Sequence, residues 1–126
     1  MLSELENKPV RQGDIYLIYF PYNIKGSMQR GYRPAVVIQN NLLNDTSPTV
    51  VVIPLTSRDK GGKIHYKIKA TVENGLVMDS VALCESITTT SRHFIKDYCG
   101  HLSDEDFCEI LSTLQNVFEH ELVLKE

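Results

Sequence analysis

Pro34-Ala-Val-Val-Ile-Gln39 and Thr49-Val-Val-Val-Ile-Pro-Leu55 are two short runs of β-branched residues bounded by turn formers. Runs of this length and composition suit a pleated, buried surface and read as strands. Asp14-Ile-Tyr-Leu-Ile-Tyr19 has the same character upstream. Downstream, residues 63–69 alternate charged and apolar side chains, as a strand with one wet face does, and Ser80 to Thr88 supplies a further strand. Gly26 and Gly31 punctuate a long loop after the first strand, and Gly61-Gly62 a second after the third. Basic loops on a small sheet scaffold are frequent sites of function.

The end of the chain changes period. Ser103 ahead of Asp104, Glu105 and Asp106 offers an N-cap with acidic residues where the helix dipole favours them. Phe107, Ile110, Leu111, Leu114, Val117 and Phe118 then recur at three- and four-residue steps, which predicts an amphipathic helix packed on the sheet. Residues 91–96 suit a single helical turn. The expected fold is mainly β with α (α+β), a small curled sheet or barrel with a C-terminal helix, and one domain over residues 1–126 with its core in 11–120.

The chain has 126 residues and a net charge of −3, but the charges are segregated. Residues 9–70 carry nine basic and three acidic side chains, whereas residues 71–126 carry three basic and eleven acidic ones. A basic first half predicts an anion-facing surface despite the overall negative charge. Residues 1–8 lack the apolar run of a signal peptide, and no segment approaches the roughly 18 apolar residues of a membrane span. A cytoplasmic protein without membrane association is expected. Cys84, Cys99 and Cys108 are an odd set without a CxxC pair, so reduced thiols are expected.

There is no GxxxxGK[ST] loop, GxGxxG, GxSxG or HExxH sequence. His65, His93, His101 and His120 have no metal-ligand spacing with carboxylates and read as ordinary surface or core histidines; no metal and no cofactor are expected. Three candidates for chemistry remain. Arg33, in Gln29-Arg-Gly-Tyr-Arg-Pro34, stands directly before a strand, and a guanidinium there can hold two phosphate oxygens at once. Thr56 ends the strand Val50 to Leu55, followed by Ser57 and Arg58. Glu85 is a carboxylate within Val81-Ala-Leu-Cys-Glu-Ser86.

The blocks Gln12-Gly-Asp-Ile-Tyr16, Gly31-Tyr-Arg-Pro-Ala-Val-Val-Ile-Gln-Asn40, Ser47-Pro-Thr-Val-Val-Val-Ile-Pro-Leu-Thr56 and Asp79-Ser-Val-Ala-Leu-Cys-Glu85 resemble, in order and spacing, the signature blocks of MazF/PemK toxins. The likeness runs from about Arg11 into the final helix. It implies an SH3-like small β-barrel, a homodimer, metal-independent and sequence-selective cleavage of single-stranded mRNA, and a cognate antitoxin partner. By position it implies catalytic roles for Arg33 and Thr56, with Glu85 a candidate base. RNA-binding roles are expected for Gln29, Arg30, Tyr32, Ser47, Lys25 and Arg58, with Tyr22 a further stacking candidate. Two positions depart from the family pattern. Thr88 stands where many members have arginine, and Leu83 replaces the arginine that the PemK branch pairs with the acid two residues on. Two other readings share the fold: a CcdB-like gyrase-poisoning toxin, and a noncatalytic RNA-binding or regulatory module.

Overall fold

The computed structural model describes residues 9–21, 31–58, 61–62 and 64–119. These residues form a seven-stranded antiparallel sheet and a C-terminal helix. Strand β1 (Asp14–Phe20) pairs with β2 (Gly31–Val37), and β2 with β3 (Thr49–Thr56). All three use both faces for burial, which is why their sequences read as apolar runs rather than clean alternations. On one face Ile15, Val36, Ile53 and Leu55 join a core cluster; on the other Tyr16, Ile18, Ala35, Val37, Val50 and Val52 build a second.

One edge of β3 is shared by two partners. Strand β5 (Ser80–Leu83) covers its last residues, with Leu55 opposite Ala82 and Thr56 opposite Val81, while β6 (Thr88–Ser91) covers Thr49 to Val52. Between them Cys84–Ser86 forms a 3-10 turn. The single strand expected over Ser80 to Thr88 is therefore broken. Five residues, 83–87, stand across from only Ile53 and Pro54, an insertion of three that lifts Glu85 out of the ladder. Pro54, which has no N–H to give a partner strand, lies in the stretch of β3 where the neighbour departs. Strand β4 (His65–Ile68) pairs with β5, so that His65 faces Leu83. The strand order β4-β5-β3-β2-β1-β7 shows no β4–β7 pairing among the described residues, so the curled sheet is barrel-like without a closed ladder.

Strand β7 (Ile95–His101) pairs with β1 through two register irregularities. It was not evident from the sequence: as an edge strand it carries exposed Lys96 and Asp97, which hide its pattern. The helical turn expected over 91–96 is a 3-10 turn at Arg92–Phe94. A six-residue helix, α1 (Asn41–Thr46), is a second unanticipated element, capped by the Asn40 side chain accepting from the Leu43 amide. The main helix, α2 (Asp104–Gln115), starts where expected, the Ser103 hydroxyl accepting from the Asp106 amide at 3.1 Å. Its buried stripe is narrower than the sequence suggests. Ile110 and Leu114 enter the core, whereas Leu111 is 38% and Phe118 66% exposed.

Candidate active-site cleft at the ends of β2 and β3

The register of β2 on β3 sets Ala35 opposite Pro54, Val36 opposite Ile53 and Val37 opposite Val52. That pairing ends at Ala35 and Pro54; Arg33 on β2 and Thr56 on β3 each lie two residues beyond it, on the side of the sheet that Ala35 and Pro54 share. Residues directly opposite in an antiparallel pair share a face. The two residues singled out in different sequence blocks therefore meet at one end of the sheet, on the face that carries Val81 and Leu83 on β5 and His65 on β4. That end opens into a cleft of about 870 Å³, whose walls include Arg33, Thr56, Arg58, His65 and Glu85.

The Thr56 hydroxyl oxygen accepts from the Arg58 amide at 3.1 Å. This local turn fixes the side chain and leaves the hydroxyl proton available to donate. Arg58, exposed at the mouth, adds a second guanidinium. Glu85, lifted from the ladder by the inserted turn, is 42% exposed and lies 2.7 Å from His65 Nε2, whose side chain is 12% exposed. The Gly62 amide points at His65 Nδ1 from 3.2 Å. An N–H aimed at Nδ1 makes that nitrogen the acceptor, which leaves the ring proton on Nε2, donated to Glu85. The carboxylate is thus held from behind by a fixed imidazole and open to the cleft in front.

The sequence alone presents His65 as an ordinary histidine. Only its alternation with Lys67 and Lys69 hinted at a shared wet face, and nothing local linked it to a carboxylate 20 residues away. Of the other expected residues, Tyr32 lines the cleft and is 60% exposed. Ser47 does not join them within one chain. It precedes the opposite end of β3, where it bonds Thr49, and the strand from Thr49 to Thr56 alone spans roughly 23 Å. Gln29, Arg30, Lys25 and Tyr22 lie outside the described residues.

Burial pushes the Cys84 thiol up to about 11, with the neighbouring Glu85 charge adding to the effect. Cys84 is therefore a packed, protonated core residue rather than a nucleophile. Among the described residues no group of three or more His, Cys, Asp or Glu is arranged to hold a metal ion, and no helix is long and apolar enough to cross a membrane.

Residues 11–118 match the family model described as PemK-like, MazF-like toxin of type II toxin-antitoxin system. A protein of Staphylococcus saprophyticus named endoribonuclease MazF is 39% identical over 103 residues, spanning 80% of this chain and 84% of that one. Among solved structures, MazF from Deinococcus radiodurans superposes with a TM-score of 0.75 at 20% identity, covering 88% of this chain and 97% of the other. The Mycobacterium tuberculosis toxin MazF-mt6 gives 0.70 at 19% identity over 83% and 95%. A mycobacterial endoribonuclease in complex with its cognate antitoxin gives 0.65 at 19% over 88% and 94%. The structural likenesses establish the shared fold, and the sequence matches establish descent: the chain belongs to the PemK-like, MazF-like toxin family of type II toxin-antitoxin systems.

Proposed function

We propose that this protein is the toxin of its system, a cytoplasmic, metal-independent and sequence-selective endoribonuclease that cuts single-stranded mRNA and so halts translation and growth. The observation that carries this reading is the convergence of Arg33, Thr56 and the His65–Glu85 pair on one cleft. The relative at 39% identity is named an endoribonuclease, which supports the reading.

RNA carries its own nucleophile in the 2′-hydroxyl, so the protein has to align it, accept a proton and stabilise charge on the phosphorane. Arg33 and the Thr56 hydroxyl, which line the same cleft, hold the non-bridging oxygens of the scissile phosphate. The Arg33 cation supplies the electrostatic stabilisation that a metal provides elsewhere. Glu85 takes the 2′-hydroxyl proton, the 2′-oxygen attacks phosphorus, and the bond to the 5′-oxygen breaks as that oxygen takes a proton from solvent water, leaving a 2′,3′-cyclic phosphate and a 5′-hydroxyl. His65, which touches no reacting atom, positions the carboxylate through its Nε2–H. Arg58 at the mouth contacts the flanking strand, and Lys25, Gln29 and Arg30, which lie outside the described residues, are the further candidates from the sequence. Glu85 takes the place of the acid–arginine pair of the PemK branch, since Leu83 cannot donate or accept a proton.

A cognate antitoxin covers the same cleft in this scheme, through a segment that is acidic or apolar: acidic to meet Arg33 and Arg58, apolar to meet Val77 and Met78, which are 95% and 61% exposed at the rim. The working unit is a homodimer, checked by light scattering at twice the 14.3 kDa chain mass. Incubation of the purified protein with a long single-stranded RNA in EDTA tests the proposal. Cleavage that is lost in Arg33→Ala and Thr56→Ala supports it. Intact RNA together with inhibited gyrase refutes it in favour of the CcdB-like reading, and intact RNA with tight binding favours a noncatalytic module.

A further inference from the structure

Beside the Arg33–Thr56 pair, three aromatic rings run in a row. Tyr32 and Tyr19 are directly opposite on β2 and β1, their ring centroids 5.1 Å apart and tilted by 55°. Tyr19 meets Phe94 of the Arg92–Phe94 turn at 5.8 Å and 56°. Phe94 packs against the second core cluster, so the row is anchored at one end in the protein interior. At its other end Tyr32 stands 60% exposed in the cleft wall. Burial does not explain a ring so placed, since most of its surface remains in water. Its position is nevertheless fixed by half-buried Tyr19, itself backed by half-buried Phe94, the condition for a rigid stacking surface with little entropy left to lose.

We propose that Tyr32 is the platform on which an unpaired base of the RNA stacks, next to the phosphate held by Arg33, and that Tyr19 and Phe94 hold its ring in place. The proposal rests on the ribonuclease reading for the phosphate's position. Tyr32 and Arg33 are consecutive in β2 and leave it on opposite faces, and both line the cleft. A nucleotide likewise carries base and phosphate on different sides of its sugar. A strand crossing the start of β2 can therefore lay its base on Tyr32 while its phosphate turns toward Arg33 and Thr56. Every base has a π face, so this subsite contributes affinity and register rather than choice of sequence. Tyr19 and Phe94 are positioning residues, acting through Tyr32.

The chain contains no tryptophan, so Tyr32→Trp introduces a single emitter at the platform. The probe is a random-sequence pool of fully 2′-O-methylated oligoribonucleotides, which has no 2′-hydroxyl to attack, with an abasic strand of equal length as control. Emission of the Tyr32→Trp protein is expected to fall as the pool binds and to stay constant with the abasic strand. Tyr32→Leu and Tyr32→Ala are expected to weaken the pool's affinity roughly 5- to 150-fold, with Tyr32→Phe retaining it. Tyr19→Ala gives a smaller loss that Tyr19→Phe restores, and circular dichroism verifies that each variant is folded. Unchanged emission at saturation measured by anisotropy, or wild-type affinity in Tyr32→Leu, overturns the platform. A wild-type protein that never cuts RNA, with the emission of the Tyr32→Trp protein still falling as the pool binds, removes the ribonuclease reading and leaves the platform standing. One that cuts RNA with Tyr32→Leu unimpaired removes the platform alone, and absence of RNA binding removes both.

Discussion

Replacing Glu85 with glutamine isolates the proton-transfer step from the geometry that supports it. The amide has the carboxylate's size, and its oxygen can still accept from His65 Nε2–H across the present 2.7 Å. What is lost is the capacity to take a proton. General-base catalysis contributes roughly 10²- to 10⁴-fold, about 2.7 to 5.5 kcal/mol of barrier, and the Glu85→Gln variant is expected to lose that much in kcat. Because the side chain is 42% exposed, the stability change should stay within about 1 kcal/mol. His65→Ala leaves the carboxylate but removes its anchor; misplacement without loss of function costs roughly 10- to 100-fold. The predicted order is therefore Glu85→Gln below His65→Ala below wild type. Single-turnover cleavage of a fluorophore–quencher RNA by excess enzyme in EDTA measures all three, free of product release. A Glu85→Gln variant within threefold of wild type would refute the assignment of the base. The reverse order would transfer the role to His65.

Three further outcomes follow from the scaffold. The Tyr66 hydroxyl donates to Asp106 Oδ1 at 2.7 Å, tying β4 to the first turn of α2; Tyr66→Phe should cost about 1 kcal/mol in urea denaturation, discounted for partial exposure. That bond to the carboxylate, ahead of burial, raises the phenol from 10.0 to about 12, so its stabilisation is fully present below pH 10 and lost as pH rises through about 12. Wild type should thus converge on Tyr66→Phe in strong alkali, and a constant gap would contradict the linkage. Iodoacetamide at pH 8 should alkylate exposed Cys108 while leaving Cys84 unmodified in the folded protein, as read by mass spectrometry of peptides; modification of Cys84 before unfolding would contradict its burial. Gly75 has a φ of +67°, and a Cβ there would meet the Cys99 carbonyl oxygen at 1.9 Å; Gly75→Ala should lower stability by more than about 1 kcal/mol and disturb the cleft wall formed by residues 75–78. A thermal midpoint equal to wild type would show that this close approach is dispensable.

The parts legible in the sequence were those written in local pattern. The buried strands β1 to β3 and the capped start of α2 combine strong composition with clear boundaries, and the Arg33 and Thr56 blocks stood at strand ends. Strand β7 was hidden because an edge strand keeps charged residues such as Lys96 and Asp97 in water. Helix α1 was hidden because it is held by hydrogen bonds rather than by an apolar stripe: buried Asn44 donates to the Gln39 carbonyl, and Gln39 returns a bond to Asn44. The insertion at Cys84–Ser86 could not be read from an apparently continuous strand, and it is what gives Glu85 its orientation. His65 is the clearest case. Its place beside Glu85 comes from β4 pairing with β5 and from a contact across 20 residues, information that belongs to the register and not to the neighbouring sequence. Ser47 shows the converse, a position carried by a resemblance that the single chain places far from the cleft.

The central claim, that the substrate's own 2′-hydroxyl is the nucleophile in a cleft needing no metal, is most directly tested at the scissile nucleotide. Cleavage products of a defined single-stranded RNA in EDTA, analysed by mass spectrometry, should end in a 2′,3′-cyclic phosphate and begin with a 5′-hydroxyl. A single 2′-deoxy substitution at the nucleotide 5′ to the cut should abolish cleavage there while leaving other sites intact. Continued cutting of the deoxy-substituted strand, or products bearing a 5′-phosphate, would contradict it.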